Sequence, residues 1–197
     1  GRIVHAGQAC CSSKRFIVQE NIYDEFAGRL AERLKGMKIG DPLDQGSRIG
    51  PLIDERAAQR VEEIVDRTVK AGAYCLCGGR RFDGNFFEPT VLTGVTPAMD
   101  IAQNLEVFGP VFPLIKFKTE EQAVAIADNC TYGLSSGVIS GEIQRAIRVA
   151  RQLDAGNCTI NGTGLYRTHD MPFGGHRKSG LGTEGLYATL DEFTKTK

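Results

Sequence analysis

Residues 111–117, Val-Phe-Pro-Leu-Ile-Lys-Phe, constrain the fold more than any other segment. Their near-continuous apolar character is that of a strand buried on both faces, as in a parallel sheet covered by helices. The segments around it alternate in type. Residues 22–37 carry apolar side chains at Ile22, Phe26, Leu30 and Leu34, a helical period, and Gly36 lies near the end. Asp41-Pro42 and Gly50-Pro51 mark a loop. Asp54 is placed to cap a second helix whose apolar stripe is Val61, Ile64, Val65, Thr68 and Val69, ended by Gly72. Strands are expected at residues 15–18, 74–77, 87–95, 136–139 and 157–161, with Pro89 confining any pairing near it to an edge or bulge. Thr119-Glu120-Glu121-Gln122 has the capping-box pattern and opens a helix to about residue 129. A further helix spans residues 143–153, with Ile143, Ala146, Ile147 and Ala150 on one face. Gly174, Gly175, Gly180, Gly182 and Gly185 predict a tightly turning loop before a final helix. Repeated helix-then-strand units with short glycine turns imply one α/β domain over residues 1–197: doubly wound, with a mostly parallel sheet flanked by helices.

The 197 residues suffice for one domain with its own core. Lys plus Arg equals Asp plus Glu at 24 each, a balance that argues against a nucleic-acid or anionic-membrane partner. No apolar run approaches a membrane span, and residues 1–5 lack a signal-peptide layout. The six cysteines stand mostly in apolar or strand-like runs of a domain too large to need staples, which predicts reduced thiols and a cytoplasmic protein. No Cys-x-x-Cys pair is matched by a second pair or by spaced histidines, so no metal site is expected.

Three segments carry chemistry. Gly7-Gln8-Ala9-Cys10 places a thiol in a small-residue turn ahead of Arg15-Phe16-Ile17-Val18, with Cys11 next to it. Read alone, such a thiol is as easily inert core filler. The second segment is Leu105-Glu106-Val107-Phe108-Gly109-Pro110, and the third is Pro172-Phe173-Gly174-Gly175-His176-Arg177-Lys178-Ser179-Gly180. In this order and spacing, and over essentially the whole chain, they resemble the catalytic domain of the NAD(P)-dependent aldehyde dehydrogenase superfamily.

That resemblance makes Cys10 the catalytic nucleophile, since it takes the last position of the Gly-Gln-x-Cys pattern. A free thiol, with a pKa of about 8.5, is only a few per cent thiolate at neutral pH. A helix starting near Cys10 would favour the anion. The thiolate attacks an aldehyde carbon to form a thiohemiacetal, whose oxyanion finds the Cys10 N–H as one candidate donor. The adduct expels hydride, which a nicotinamide ring accepts, and the remaining thioester is hydrolysed. The resemblance assigns cofactor binding to Glu106, which accepts hydrogen bonds from the nicotinamide-side ribose, and to Phe108, which packs near the nicotinamide. A carboxylate suits a diol, and an aromatic face suits a flat ring. The glycine-rich third segment is a structural loop. In the region where the family varies its substrate-entry loop, Tyr166, Arg167 and His169 are candidates for substrate contact, with Arg167 able to bind a carboxylate at two points.

The resemblance further implies NAD or NADP as cofactor, a small-molecule aldehyde as substrate and a homo-oligomer as the full-length enzyme. It also marks departures. His5 stands where the family usually has asparagine, as in a few members acting on aromatic aldehydes, and no histidine is placed as a cysteine-activating base. No glycine-rich turn suited to a dinucleotide pyrophosphate is found. The chain is therefore expected to be an excised catalytic domain, without the N-terminal dinucleotide-binding domain, the glutamate that activates water, or the C-terminal oligomerisation strand, and inactive alone. A CoA-acylating relative and a non-catalytic module retaining the fold are the alternatives at this level.

Overall fold

The computed structural model describes residues 1–195 and divides into two compact units, residues 1–126 and residues 127–197. In the first unit the elements run β1 (Phe16–Gln19), α1 (Glu20–Lys35), α2 (Glu55–Lys70), β2 (Tyr74–Cys77), β3 (Arg81–Phe82), β4 (Phe86–Phe87), β5 (Thr90–Val95) and β6 (Val111–Phe117). Helix α3 (Glu120–Asp128) follows. A four-stranded sheet has the order β1-β6-β5-β2, with β1 and β5 parallel to the central β6 and β2 antiparallel at the edge. The sheet is thus mixed but mostly parallel.

Strand β6 is covered on both sides, as its apolar run requires. Phe112 and Leu114 pack with Val18 and Val91 against Tyr23, Ala27, Ala31 and Leu34 of α1. Val111 and Ile115 point the other way, with Leu92, against Ala58, Val61, Ile64 and Val65 of α2. Alternation at period two along the strand therefore feeds two cores, one under each helix. Each fully buried aliphatic side chain contributes roughly 1.5–3 kcal/mol relative to exposure. The Tyr23 hydroxyl locks α1 to the sheet, donating to the Leu114 carbonyl (2.9 Å) and accepting from the Gly94 N–H (3.1 Å).

Parallel pairing has a direct consequence for function. Phe16 lies opposite Leu114 and Gln19 opposite Phe117, so the chain enters β1 and β6 from the same end of the sheet. The segments just before them, residues 7–12 and residues 105–110, are neighbours for that reason alone.

Local signals place most elements within two residues. Asp54 caps α2 through a bond from the Ala57 N–H (2.7 Å). Helix α1 begins at Glu20, directly out of β1, and ends at Gly36. Thr119 accepts from the Gln122 N–H (3.3 Å), but Gln122 reaches back to the Lys118 N–H (2.7 Å) and not to that of Thr119. The strand expected over residues 87–95 is split. Pro89 has no N–H to give a ladder, so β4 ends before it, and β5 starts at Thr90, whose N–H donates to the Pro110 carbonyl (2.8 Å). Strand β5 is interior, with its irregularity farther along, between Leu92 and Val95.

The second unit contains β7 (Tyr132–Gly133), β8 (Ser135–Val138), α4 (Ile143–Ala150), β9 (Asn157–Ile160), β10 (His176–Arg177) and α5 (Leu186–Phe193). Strands β8 and β9 pair in parallel, joined by α4, and β10 pairs antiparallel with β7. The glycine-rich loop is pinned by Asp154, which accepts from Arg177 Nε (2.5 Å) and pairs with His176 Nδ1 (2.8 Å). Those two hydrogen bonds hold the Asp154 carboxyl below the usual carboxylate range. Its folded value lies below its unfolded one, so the stabilisation is complete above the unfolded value and is lost as pH falls through the folded one. Asp154→Asn should therefore be less stable than the parent at about pH 5, with the gap closing toward about pH 2, as followed by urea unfolding across pH. A gap independent of pH would refute the assignment.

Candidate active site

The chain before β1 folds back on itself. His5 and Ala6 have φ of 52°, and Gly7 has φ of 77°. Consecutive left-handed residues are strained, and they persist only where their surroundings hold them. Ala6 and Gly7 are buried, and a Cβ on Gly7 would lie 2.4 Å from the Gly109 carbonyl oxygen. Gln8 donates to the carbonyls of His5 (3.1 Å) and Pro51 (3.3 Å) and accepts from the Ile53 N–H (2.8 Å). The Gly-Gln pair thus fixes the turn that presents the thiol.

Cys10 is exposed at that turn, which closes through a bond from the Ser12 N–H to the Ala9 carbonyl (3.1 Å). No helix begins there, contrary to the expectation from sequence. The chain passes through one turn and runs into β1 at Phe16. Among the described residues, nothing accepts a hydrogen bond from the Cys10 N–H. Cys11 is half-buried, and burial, then the neighbouring Cys10, push its thiol up, which disfavours its thiolate.

Positive charge is supplied by side chains in place of a helix end. Lys14 Nζ donates to the carbonyls of Ala9 (3.1 Å), Cys10 (3.2 Å) and Ser12 (3.4 Å). The same ammonium lies 3.8 Å from Glu106 Oε1 and 4.4 Å from the centre of the Phe108 ring. Arg2, only 2% exposed, donates through Nε to the Val111 carbonyl (2.9 Å), through Nη2 to the Val107 carbonyl and through Nη1 to Ser12 Oγ (3.4 Å). Burial lowers its pKa to about 10, partly offset by Glu106, so it stays charged at neutral pH. Val107 is buried between the two residues predicted to touch cofactor, and both of these face outward: the Glu106 side chain is 40% exposed and Phe108 41%.

Cys10, Glu106 and Phe108, which lie far apart in sequence, therefore surround one ammonium. An exposed carboxylate beside an exposed aromatic face has the chemistry to accept a ribose diol and to support a planar ring, so the residues present fit a nicotinamide nucleotide. Arg2 and Lys14 escaped sequence reasoning, whose only signal was a basic residue on each side of the cysteine motif. In the second unit, Arg167 pairs with Glu184 (2.6 Å) and stacks over Phe173 (4.3 Å), so its guanidinium already has a carboxylate partner. Tyr166 and His169 are exposed. Among the described residues, no cluster of His, Cys, Asp or Glu is arranged to hold a metal ion.

Cys10 at an exposed turn, with Glu106 and Phe108 on the neighbouring segment and Lys14 between them, makes a candidate site for a thiol nucleophile and a nucleotide. The whole chain, residues 1–197, matches the aldehyde dehydrogenase family, and the protein belongs to it. It is 36% identical over 197 residues to lactaldehyde dehydrogenase of Methanococcus aeolicus, covering 100% of this chain and 42% of that protein. It is 43% identical over 196 residues to mitochondrial succinate-semialdehyde dehydrogenase of Rattus norvegicus, covering 98% and 37% respectively. Among solved structures, NAD-dependent aldehyde dehydrogenase from Sinorhizobium meliloti superposes with a TM-score of 0.95 at 40% identity, over 100% of this chain and 39% of that one. Glyceraldehyde-3-phosphate dehydrogenase from Methanocaldococcus jannaschii, complexed with NADP, gives 0.93 at 36% identity, over 98% and 41%. The chain thus spans about two-fifths of the length of these relatives.

The close approach of Gly7 to Gly109 is testable. Gly7→Ala should destabilise the chain by about 1–3 kcal/mol in urea unfolding, because it adds both left-handed strain and a backbone clash. A loss under about 0.5 kcal/mol would show that the turn does not pack as described.

Proposed function

We propose that this chain is the catalytic domain of a longer NAD(P)-dependent aldehyde dehydrogenase that oxidises an aldehyde to a carboxylic acid. The observation that carries the proposal is the gathering of Cys10, Glu106 and Phe108 around Lys14, in a chain that belongs to this family. Coverage of about two-fifths of the relatives' length supports a separate region of the same enzyme holding the rest of the cofactor.

Each side chain has a definite task. The Cys10 thiolate adds to the aldehyde carbon, forming a C–S bond and an alkoxide. The Cys10 N–H, which serves no acceptor among the described residues, is available to that alkoxide. Glu106 accepts from the ribose hydroxyls and Phe108 backs the nicotinamide, so that both orient the nucleotide toward the thiol. When bound, NAD or NADP supplies the hydride acceptor that no protein side chain offers. Oxidation leaves a thioester on Cys10, and water releases it as the acid and restores the thiol.

A cytoplasmic location and a homo-oligomeric enzyme belong to the same proposal. All six cysteines are unpaired, as a reducing compartment favours. The edge strand β2 exposes Tyr74 and Leu76, which gives a neighbouring subunit an apolar surface. No described helix is long and apolar enough to cross a membrane.

In the complete enzyme, Cys10→Ser should abolish aldehyde-dependent NAD(P)H formation. Glu106→Gln should raise the KM for the nucleotide about tenfold or more, as expected for losing a charged hydrogen-bond acceptor. Wild-type turnover by the Cys10→Ser variant would end the proposal.

A further inference from the structure

Aldehyde oxidation by Cys10, Glu106 and Phe108 leaves Lys14 without a task, yet its ammonium contacts both segments that carry them. Its side chain is only 16% exposed, although lysine is ordinarily a surface residue. An ammonium has three N–H donors, and three carbonyls of the cysteine turn lie within reach of this one, those of Ala9, Cys10 and Ser12. The Glu106 carboxylate at 3.8 Å and the Phe108 ring at 4.4 Å complete its surroundings. One cation therefore contacts both the segment that presents the nucleophile and the segment that faces the nucleotide.

We propose that Lys14 is a positioning residue that clamps the Cys10 turn to the Glu106–Phe108 segment and holds a fixed positive charge beside the nucleophile. The proposal rests on Cys10 being the nucleophile. The charges in range of Lys14 are Arg2, Glu106, Cys10 and Cys11. Burial and Arg2 pull its pKa down, while Glu106, Cys10 and Cys11 pull it up. Arg2 and Lys14 outnumber Glu106, so the field at the turn is positive, and an anion approaching the sulfur is drawn in.

Alkylation separates these roles. Iodoacetate and iodoacetamide react through the same thiolate, so the ratio of their rates cancels the thiolate fraction and reports the local field. In the 197-residue chain the ratio is read at Cys10 by peptide mass spectrometry, with the exposed Cys75, which has Glu88 nearby, as an internal reference. We expect a higher ratio at Cys10 than at Cys75. Lys14→Gln should lower the Cys10 ratio roughly threefold with Cys75 unchanged, and Lys14→Arg should keep it. In the unmutated chain, raising salt to about 0.5 M should lower the Cys10 ratio too, which tests the charge without relying on a variant's folding. A Cys10 ratio that responds neither to salt nor to Lys14→Gln overturns the role of Lys14 while leaving Cys10 as nucleophile. A Cys10 inert to both reagents in the unmutated chain overturns the nucleophile itself.

Discussion

The buried guanidinium of Arg2 is the contact on which the site depends. A cation removed from water is tolerated only when its donors are used, and here they reach the carbonyls of Val107 and Val111 and the hydroxyl of Ser12. Those acceptors lie on two segments about a hundred residues apart. Val107 sits between Glu106 and Phe108, and Ser12 is two residues past Cys10. Without that link, the packing of Gly7 on Gly109 and the bonds from Gln8 to residues 51–53 would each have to hold the turn separately.

The sheet explains why such a link is possible. Because β1 and β6 run parallel in adjacent positions, the loops entering them share one end of the sheet, and two covered faces make that end rigid. The Cys10 turn hangs on this end after a strained, left-handed reversal, not as the first turn of a helix. Its electrostatic support consequently comes from Lys14 and Arg2. The difference is physical: helix-end dipoles are spread over several backbone groups, whereas an ammonium is a compact charge that can touch two segments at once.

Much of the architecture was legible locally. The near-continuous apolar run of residues 111–117, the Asp54 cap and the amphipathic stripes of α1 and α2 each contain enough information to define an element, because hydrophobic patterning and capping are properties of a few neighbouring residues. The split at Pro89 was half-legible. Proline forbade a ladder bond there, but only the sheet order shows that the strand after it is interior. The environment of Cys10 was misread, because Gly7-Gln8 followed by small residues is compatible with a helix start, and what holds the turn instead comes from bonds to Pro51 and Ile53 and the close approach of Gly109.

The sequence by itself determined the class of the domain and singled out Cys10, Glu106 and Phe108 as candidates, since these are written in contiguous motifs and short-range hydrophobic order. Tertiary structure alone decided that Lys14 and Arg2 join those motifs, that Cys11 is the more buried of two adjacent thiols, and that Arg167 is engaged with Glu184. Each of those outcomes depends on which residues, tens of positions apart, are pressed against a side chain once water is excluded. Desolvation and through-space charge follow position in the fold and not order along the chain.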